Sequence, residues 1–210
     1  MCLFAPAATQ VRAVLWEGDK LLDLGTLGGD DAFTVVINER GQIAGASYAS
    51  ASANLSTGRP TLDPLLWEKG EMVDLGSLGG TKGSPNWINN RGQVVGKANM
   101  GGDQTGHPFS WDRDGGMIDF GTLGGNSGTP YWVNDTGEAA GYADFAGSGA
   151  QLHHAFVWRS GTMTDHGTAE GDICSVGLSI NSSGQITGAS TSCMGYVHGL
   201  LWENGGPWST

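Results

Sequence analysis

Charged residues are scarce in this chain. Asp, Glu, Lys and Arg make up 15% of its 210 residues, against about 25% in ordinary soluble domains. The exposed faces of long helices usually carry many of these residues, so we do not expect an all-helical protein. Lys and Arg are the scarcest, 10 against 21 Asp and Glu, which gives a net charge of −11. Nucleic acids and anionic membrane surfaces are therefore not expected as partners.

Long apolar runs and cysteines are also few. No apolar run reaches the roughly 18 residues that a membrane-spanning helix needs. Residues 1–10 have a short apolar patch but lack a basic segment and a long apolar core, so we do not expect a complete signal peptide there. Three cysteines fit neither a zinc-binding spacing nor a dense disulfide framework.

Glycine, with 37 residues, is abundant, and much of it belongs to an internal repeat. Each copy has an apolar run that ends in Trp, then a Gly-containing turn, then Asp-Leu-Gly-Thr-Leu-Gly-Gly or a variant of it. The copies lie at residues 15–29, 66–80 and 111–125, with a weaker copy at 158–168 and a truncated one at 200–205. The period of about 45 residues is typical of propeller blades.

A second motif alternates with the first and reads Ile-Asn-x-x-Gly-Gln. It occurs at residues 37–45, 88–96 and 180–188, and a shorter form stands at 133–138. Asn and Gly at this spacing favour a tight turn, so each motif predicts a β-hairpin. Two hairpins per period make four short strands, and a four-stranded unit that repeats packs best around a common axis.

We therefore predict an all-β protein, a β-propeller of four to five short blades built from repeats of about 45 residues. An open array of β-hairpins or a solenoid is the alternative. Residues 1–10 form an N-terminal segment and residues 11–210 a single repeat domain, with copies at 11–61, 62–106, 107–152, 153–197 and, in part, 198–210. The ends could interlock to close the ring, or the chain could be a fragment of a longer array.

The motifs resemble those of the HAF repeat family of bacterial extracellular proteins. The tripeptide that names the family stands here as His154-Ala155-Phe156, and both longer motifs recur over about residues 11–205. The resemblance implies a secreted or envelope-associated bacterial protein of β-propeller type, without a defined activity to transfer. Two copies depart from the pattern, with Arg12 and Asp63 at the histidine position.

Two sets of polar residues recur once per copy. His107, His154 and His198 share a position with Arg12 and Asp63, and three imidazoles on one ring are candidate metal ligands. We expect polar residues at strand starts instead, and neither a metal nor another cofactor. The second set is Asp23, Asp74, Asp119 and Asp165. Four carboxylates that face one channel could bind Ca²⁺ or a cationic ligand. We expect these carboxylates instead to accept backbone N–H bonds at the glycine turns that follow them.

Two further groups of side chains are candidates for a structural or binding role. Cys174 and Cys193 flank one predicted hairpin and could form a disulfide across its open end. Trp87, Trp132 and Tyr142 lie outside the repeated tryptophan positions and are candidate ligand-binding residues. The alternative is that these rings fill the wedge between blades.

The composition and motifs favour a non-enzymatic extracellular binding or scaffold module over an enzyme, with a glycan or a protein as its ligand. The alternative is a carbohydrate-active hydrolase or lyase with acidic residues at the propeller mouth. Glu138 is the candidate catalytic residue, because it replaces the glutamine of the other copies, Gln42, Gln93 and Gln185. A fragment without an activity of its own is a third possibility, and the oligomeric state stays open.

Overall fold

The computed structural model describes residues 10–55, 57–147, 152–192 and 197–203. Within these residues the secondary structure is entirely β, which confirms the prediction of an all-β protein. The strands are β1 Ala13–Glu17, β2 Lys20–Gly25, β3 Ala32–Ile37, β4 Ile43–Tyr48, β5 Leu62–Glu68, β6 Glu71–Asp74, β7 Gly79–Ile88, β8 Val94–Met100, β9 Gly106–Asp112, β10 Gly116–Asp119, β11 Gly124–Val133, β12 Ala139–Phe145, β13 His153–Arg159, β14 Thr162–Asp165, β15 Cys174–Ile180, β16 Ile186–Thr191 and β17 Val197–Trp202.

The strands form five antiparallel groups that follow one another along the chain. An N-terminal hairpin, β1–β2, comes first. Sheet 1 (β3–β6), sheet 2 (β7–β10) and sheet 3 (β11–β14) have four strands each, and the C-terminal sheet, β15–β17, has three in the described residues. Each four-stranded sheet joins an Asn-x-x-Gly hairpin to the Trp hairpin that follows it. Single parallel pairs, Leu62 with Lys82 and Gly106 with Ser127, link neighbouring sheets.

The Asn-x-x-Gly segments form turns because the Asn side chain accepts hydrogen bonds from backbone N–H groups of the turn. The Oδ1 atom of Asn89 accepts the backbone N–H groups of Arg91 and Gln93, at 3.0 and 2.9 Å. Gly92 closes this turn with a φ of 83°, a conformation that other residues adopt rarely. The same bonds and the same glycine conformation recur in the turns at Asn38, Asn134 and Asn181.

The last glycine of the same motif has a separate structural reason. Gly45 lies opposite a β-bulge in β3, and a Cβ atom at this position would overlap the carbonyl oxygen of Phe33. Equivalent glycines lie opposite equivalent bulges in the next three sheets, at Gly96, Gly141 and Gly188. The motif therefore ends in Gly because two backbones approach too closely for a side chain.

The core lies between successive sheets rather than inside any one of them. One apolar cluster joins Leu66 and Leu75 of sheet 1 to Ile88, Phe109 and Trp111 of sheet 2. Sheets 2 and 3 share a second cluster, and further clusters join the N-terminal hairpin to sheet 1 and sheet 3 to the C-terminal sheet. Strands such as β5 are buried along most of their length because a neighbouring group covers each face.

Among the described strands, no hydrogen-bonded pair joins the first group to the last. The face that points away from sheet 1 is exposed at the N-terminal hairpin. Trp16 is 67% exposed, whereas its equivalents Trp67, Trp111 and Trp158 are 7–9% exposed. Ile37 is 52% exposed, against 2% for Ile88. Burial of the repeated residues thus depends on a preceding sheet.

This difference gives a matched pair of stability variants. We expect Trp67→Ala to lower the free energy of unfolding by about 3–5 kcal/mol, because it opens a cavity between the N-terminal hairpin and sheet 1. Trp16→Ala removes the equivalent side chain from an exposed face and should cost less than about 1 kcal/mol. Chemical denaturation followed by circular dichroism measures both values. Equal losses would contradict the assignment of the core to the spaces between sheets.

Candidate functional site

A groove of about 460 Å³ lies where the first strands of sheets 1, 2 and 3 and of the C-terminal sheet end. We name it the turn groove, because the four Asn-x-x-Gly turns supply much of its lining. Each turn contributes the asparagine and the residue after it. The lining residues from the turns are Asn38, Glu39, Asn89, Asn90, Asn134, Asp135, Asn181 and Ser182.

A ladder of side-chain amides holds these turns together. The Nδ2 group of Asn38 donates to the carbonyl oxygen of Asn89, that of Asn89 to Asn134, and that of Asn134 to Asn181. All three bonds measure 2.8 Å. Each asparagine therefore shapes its own turn through Oδ1 and fixes the next sheet through Nδ2. The groove is rigid for this reason.

Two carboxylates stand at the rim of the turn groove. Asp135 accepts the backbone N–H of Asn90 at 2.8 Å and its side-chain amide at 3.4 Å. Glu39 occupies the equivalent place on the turn of sheet 1 and is exposed. Its backbone N–H donates to the side chain of Asn90 at 3.1 Å. The two acids lie on turns that are two sheets apart, with Asn90 between them.

Two aromatic rings line the same groove. Trp87 of β7 and Trp132 of β11 are stacked, with ring centroids 3.5 Å apart and planes inclined by 22°. Both side chains are partly buried, and each also packs against an apolar cluster. The structure thus brings these two predicted ligand-binding residues together, in positions that combine contact between sheets with access to the groove.

Tyr142, the third predicted ligand-binding residue, does not line this groove. Its ring lies 4.5 Å from the ring of His153 and 5.8 Å from that of Tyr131. Its hydroxyl accepts a bond from Thr129 at 3.3 Å. A binding role for all three aromatic residues stays a prediction.

The three candidate metal-binding histidines belong to three different sheets, and each faces its own carboxylate. The Nδ1 atoms lie 2.8–3.0 Å from the nearest carboxylate oxygen, in the pairs His107–Asp119, His154–Asp165 and His198–Asp172. In the part of the chain that the structure describes, no group of three or more His, Cys, Asp or Glu side chains has the geometry of a metal site.

Glu138, the candidate catalytic residue, lies in an ion pair. Its Oε1 atom is 2.6 Å from Nε of Arg159, and its Oε2 atom accepts the amide of Asn134 at 2.8 Å. The change from Gln to Glu in this copy is thus matched by an arginine on the neighbouring strand. Through this hydrogen bond Glu138 stabilises the turn at Asn134, but it does not line the groove itself.

The recurring aspartates bind backbone as expected. Asp23, Asp74, Asp119 and Asp165 each accept the N–H of the glycine two residues later, at 2.7–2.9 Å. One of them faces a second acid, because Asp63 stands where later copies have histidine. Burial, and secondly the charge of Asp74, raise the pKa of Asp63 to about 6. In the sequence, this pair is indicated by Asp63, which stands at a position that holds histidine in the three later copies.

The predicted disulfide cannot be followed through the structure, since Cys193 lies outside the described residues. Cys174 begins β15 and is buried. The pairing of the two cysteines stays a prediction.

The asparagine ladder offers a matched test of stability. Asn89 is buried, and its side chain makes bonds both within its turn and to sheet 3. We expect Asn89→Ala to cost about 3 kcal/mol of unfolding free energy. Asn181→Ala removes the bonds within an exposed turn and should cost about 1 kcal/mol. Denaturant titration of both variants measures the difference, and the reverse order would contradict a stabilising ladder.

The pKa of Asp63 predicts a pH-dependent stability. Folding raises this pKa from 3.8 to about 6, so the folded state binds the proton more tightly. The stabilising contribution is present below about pH 4 and is lost as the pH rises through 6. In metal-free buffer, Asp63→Asn should therefore gain stability over the unchanged protein from pH 4 to 7, by about 2–3 kcal/mol. Urea titrations at several pH values measure this gain, and a difference independent of pH would refute it.

Comparisons with known proteins show the fold. No family model and no curated protein matches the chain, so the resemblance to the HAF repeat family stays a prediction. TolB from Acinetobacter baumannii is similar in structure, with a TM-score of 0.55 and 12% identity over 89% of this chain and 44% of TolB. The chain thus spans less than half of TolB. Among the described residues, no helix is long and apolar enough to cross a membrane.

Two gluconolactonase structures are also similar. The one from Xanthomonas campestris has a TM-score of 0.45 and 14% identity over 94% of this chain and 67% of the other, and the second has a TM-score of 0.41. At these identities the similarity concerns the fold alone. It nevertheless corrects the prediction of a non-enzymatic binding or scaffold module, because proteins of similar fold include enzymes. The architecture is that of a β-propeller-like protein.

Proposed function

We propose that this chain forms part of a propeller-type hydrolase that acts on carbohydrate, with the turn groove as its substrate site. The main support is that one groove combines an aromatic pair with two carboxylates. Its volume of about 460 Å³ falls within the range of small-molecule sites, about 300–1,000 Å³. A sugar ring or a short oligosaccharide is of this size.

Trp87 and Trp132 bind the apolar face of a sugar ring. Stacked indoles present a flat apolar surface, and a pyranose has C–H groups on one face that pack against such a surface. The turn residues around the rings offer amide and carboxylate groups for the sugar hydroxyls. An apolar floor with a few polar groups at its edge is the usual design of a site that fixes one orientation of its ligand.

Asp135 and Glu39 supply the acid–base pair. Hydrolysis of a glycosidic bond uses two carboxyl groups on either side of the bond, one as acid and one as base or nucleophile. Asp135, held by two N–H groups of Asn90, acts as the base or nucleophile. Glu39, exposed on the turn of sheet 1, is the second carboxyl group of the pair. A substrate seated on the indoles lies between these two turns.

We also propose an extracellular or envelope location and a ring of four to five blades. The resemblance to the HAF repeat family supports the location. Three four-stranded sheets, one three-stranded sheet and a hairpin support the blade number.

An activity screen with matched variants tests this function. Aryl glycosides, oligosaccharides and sugar lactones serve as substrates, with product release as the readout. We expect Glu39→Gln and Asp135→Asn each to lower kcat by about 100-fold or more. Trp132→Ala should chiefly raise KM, since it removes a binding surface. Glu71→Gln is the control, because Glu71 is an exposed acid at the β5–β6 turn outside the groove.

Two results would overturn the proposal. One is the absence of turnover with every substrate class in the screen. The other is turnover that Glu39→Gln and Asp135→Asn leave at the level of Glu71→Gln.

A further inference from the structure

In the first four Trp hairpins, the start of the first strand faces the end of the second strand. Two polar side chains meet there, and in most copies one is a base and the other an acid. Arg12 lies 3.9 Å from Asp23, His107 2.9 Å from Asp119, and His154 3.0 Å from Asp165. An arginine or histidine side chain thus lies beside the acid that holds the glycine turn.

The hairpin of sheet 1 breaks this rule, because Asp63 takes the place of the base. The strand register is unchanged. Asp74 pairs with Leu65, two residues after Asp63, as Asp119 pairs with Phe109, two residues after His107. Two carboxyl groups therefore occupy the positions that a base and an acid occupy elsewhere. Substitution has removed the positive partner and left the acid in place.

The burial of Asp63 makes this arrangement unusual. The residue is 7% exposed, and its Oδ1 atom is buried without a hydrogen-bond partner. An unpaired buried carboxylate oxygen is costly because it has lost its water and gained no donor. Asp74 brings a second negative charge, and the hydrogen bond from Gly76 engages its Oδ1 atom. Both acids thus lack the arginine or histidine partner that the other copies have.

We propose that Asp63 and Asp74 bind a divalent metal cation, which takes the place of the arginine or histidine of the other repeats. Hard cations such as Ca²⁺ bind carboxylate oxygens and accept water and backbone carbonyl groups as further ligands. Two carboxylates suit such an ion better than a transition metal, which would call for imidazole or thiolate ligands. The site is separate from the turn groove, since neither acid lines that groove.

Two acidic side chains are few for a calcium site. Water or backbone oxygens must fill most of the coordination positions, so the affinity is low. We expect a dissociation constant of about 10⁻⁴–10⁻³ M, the range of extracellular calcium modules. Such a site stabilises the fold at millimolar calcium and is empty in a chelator.

Thermal unfolding in the presence of calcium alone tests the proposal. At pH 7.5, 10 mM CaCl₂ should raise Tm by about 3 °C over NaCl of equal ionic strength. Asp63→His restores the pattern of the later copies. It should abolish the calcium effect and raise Tm in EDTA. Asp74→Asn should also abolish the effect.

A reciprocal variant in another hairpin distinguishes loss of calcium binding from a structural effect of the substitutions at Asp63. His107→Asp creates a second pair of facing acids, with Asp119, and should add a second calcium-dependent rise in Tm. Isothermal titration of the unchanged protein with CaCl₂ should give one site. The proposal is overturned if calcium raises Tm no more than NaCl does, or if Asp63→His keeps the full calcium response. Because the turn groove lies elsewhere, these results do not depend on the hydrolase activity.

Discussion

A sheet built from this repeat has two apolar faces and cannot bury either of them alone. The structure depends on this constraint, because every core cluster joins neighbouring groups of strands. The same tryptophan is buried at positions 67, 111 and 158 and exposed at position 16, which no earlier sheet covers within the described residues. The contribution of this tryptophan to stability therefore depends on whether a neighbouring group of strands covers it. The asparagine ladder also connects the sheets in chain order, because the side-chain amides of Asn38, Asn89 and Asn134 each donate to the turn of the next sheet.

Different side chains are exposed at the two ends of the described array. At the N-terminal end Trp16 and Ile37 present apolar side chains to solvent. At the other end the C-terminal sheet has Ser179 and Thr187, in positions equivalent to Trp132 and Ala140 of sheet 3, and it also exposes Leu178.

The regular residues of the repeat form the scaffold, and residues that depart from the repeat supply the candidate functional groups. Asp63 in place of histidine creates a pair of acids, and Glu39 and Asp135 place acids on a rim where another turn has Ser182. A departure can equally be structural. Glu138 replaces a glutamine, but Arg159 neutralises it, so its change preserves the turn rather than creating a free acid.

The all-β class, the hairpins and the turn residues were predictable from the amino-acid sequence, because these features depend on local chemistry. Asn and Gly shape a turn wherever they occur at this spacing, and the aspartates bind the nearest glycine N–H. The sequence also pointed to Trp87 and Trp132, though not to their contact with each other. Only the tertiary structure placed Glu39 and Asp135 on one groove, paired Glu138 with Arg159 and left Asp63 buried opposite Asp74. These relations join residues of different strands and sheets, and their distances depend on how the sheets stack.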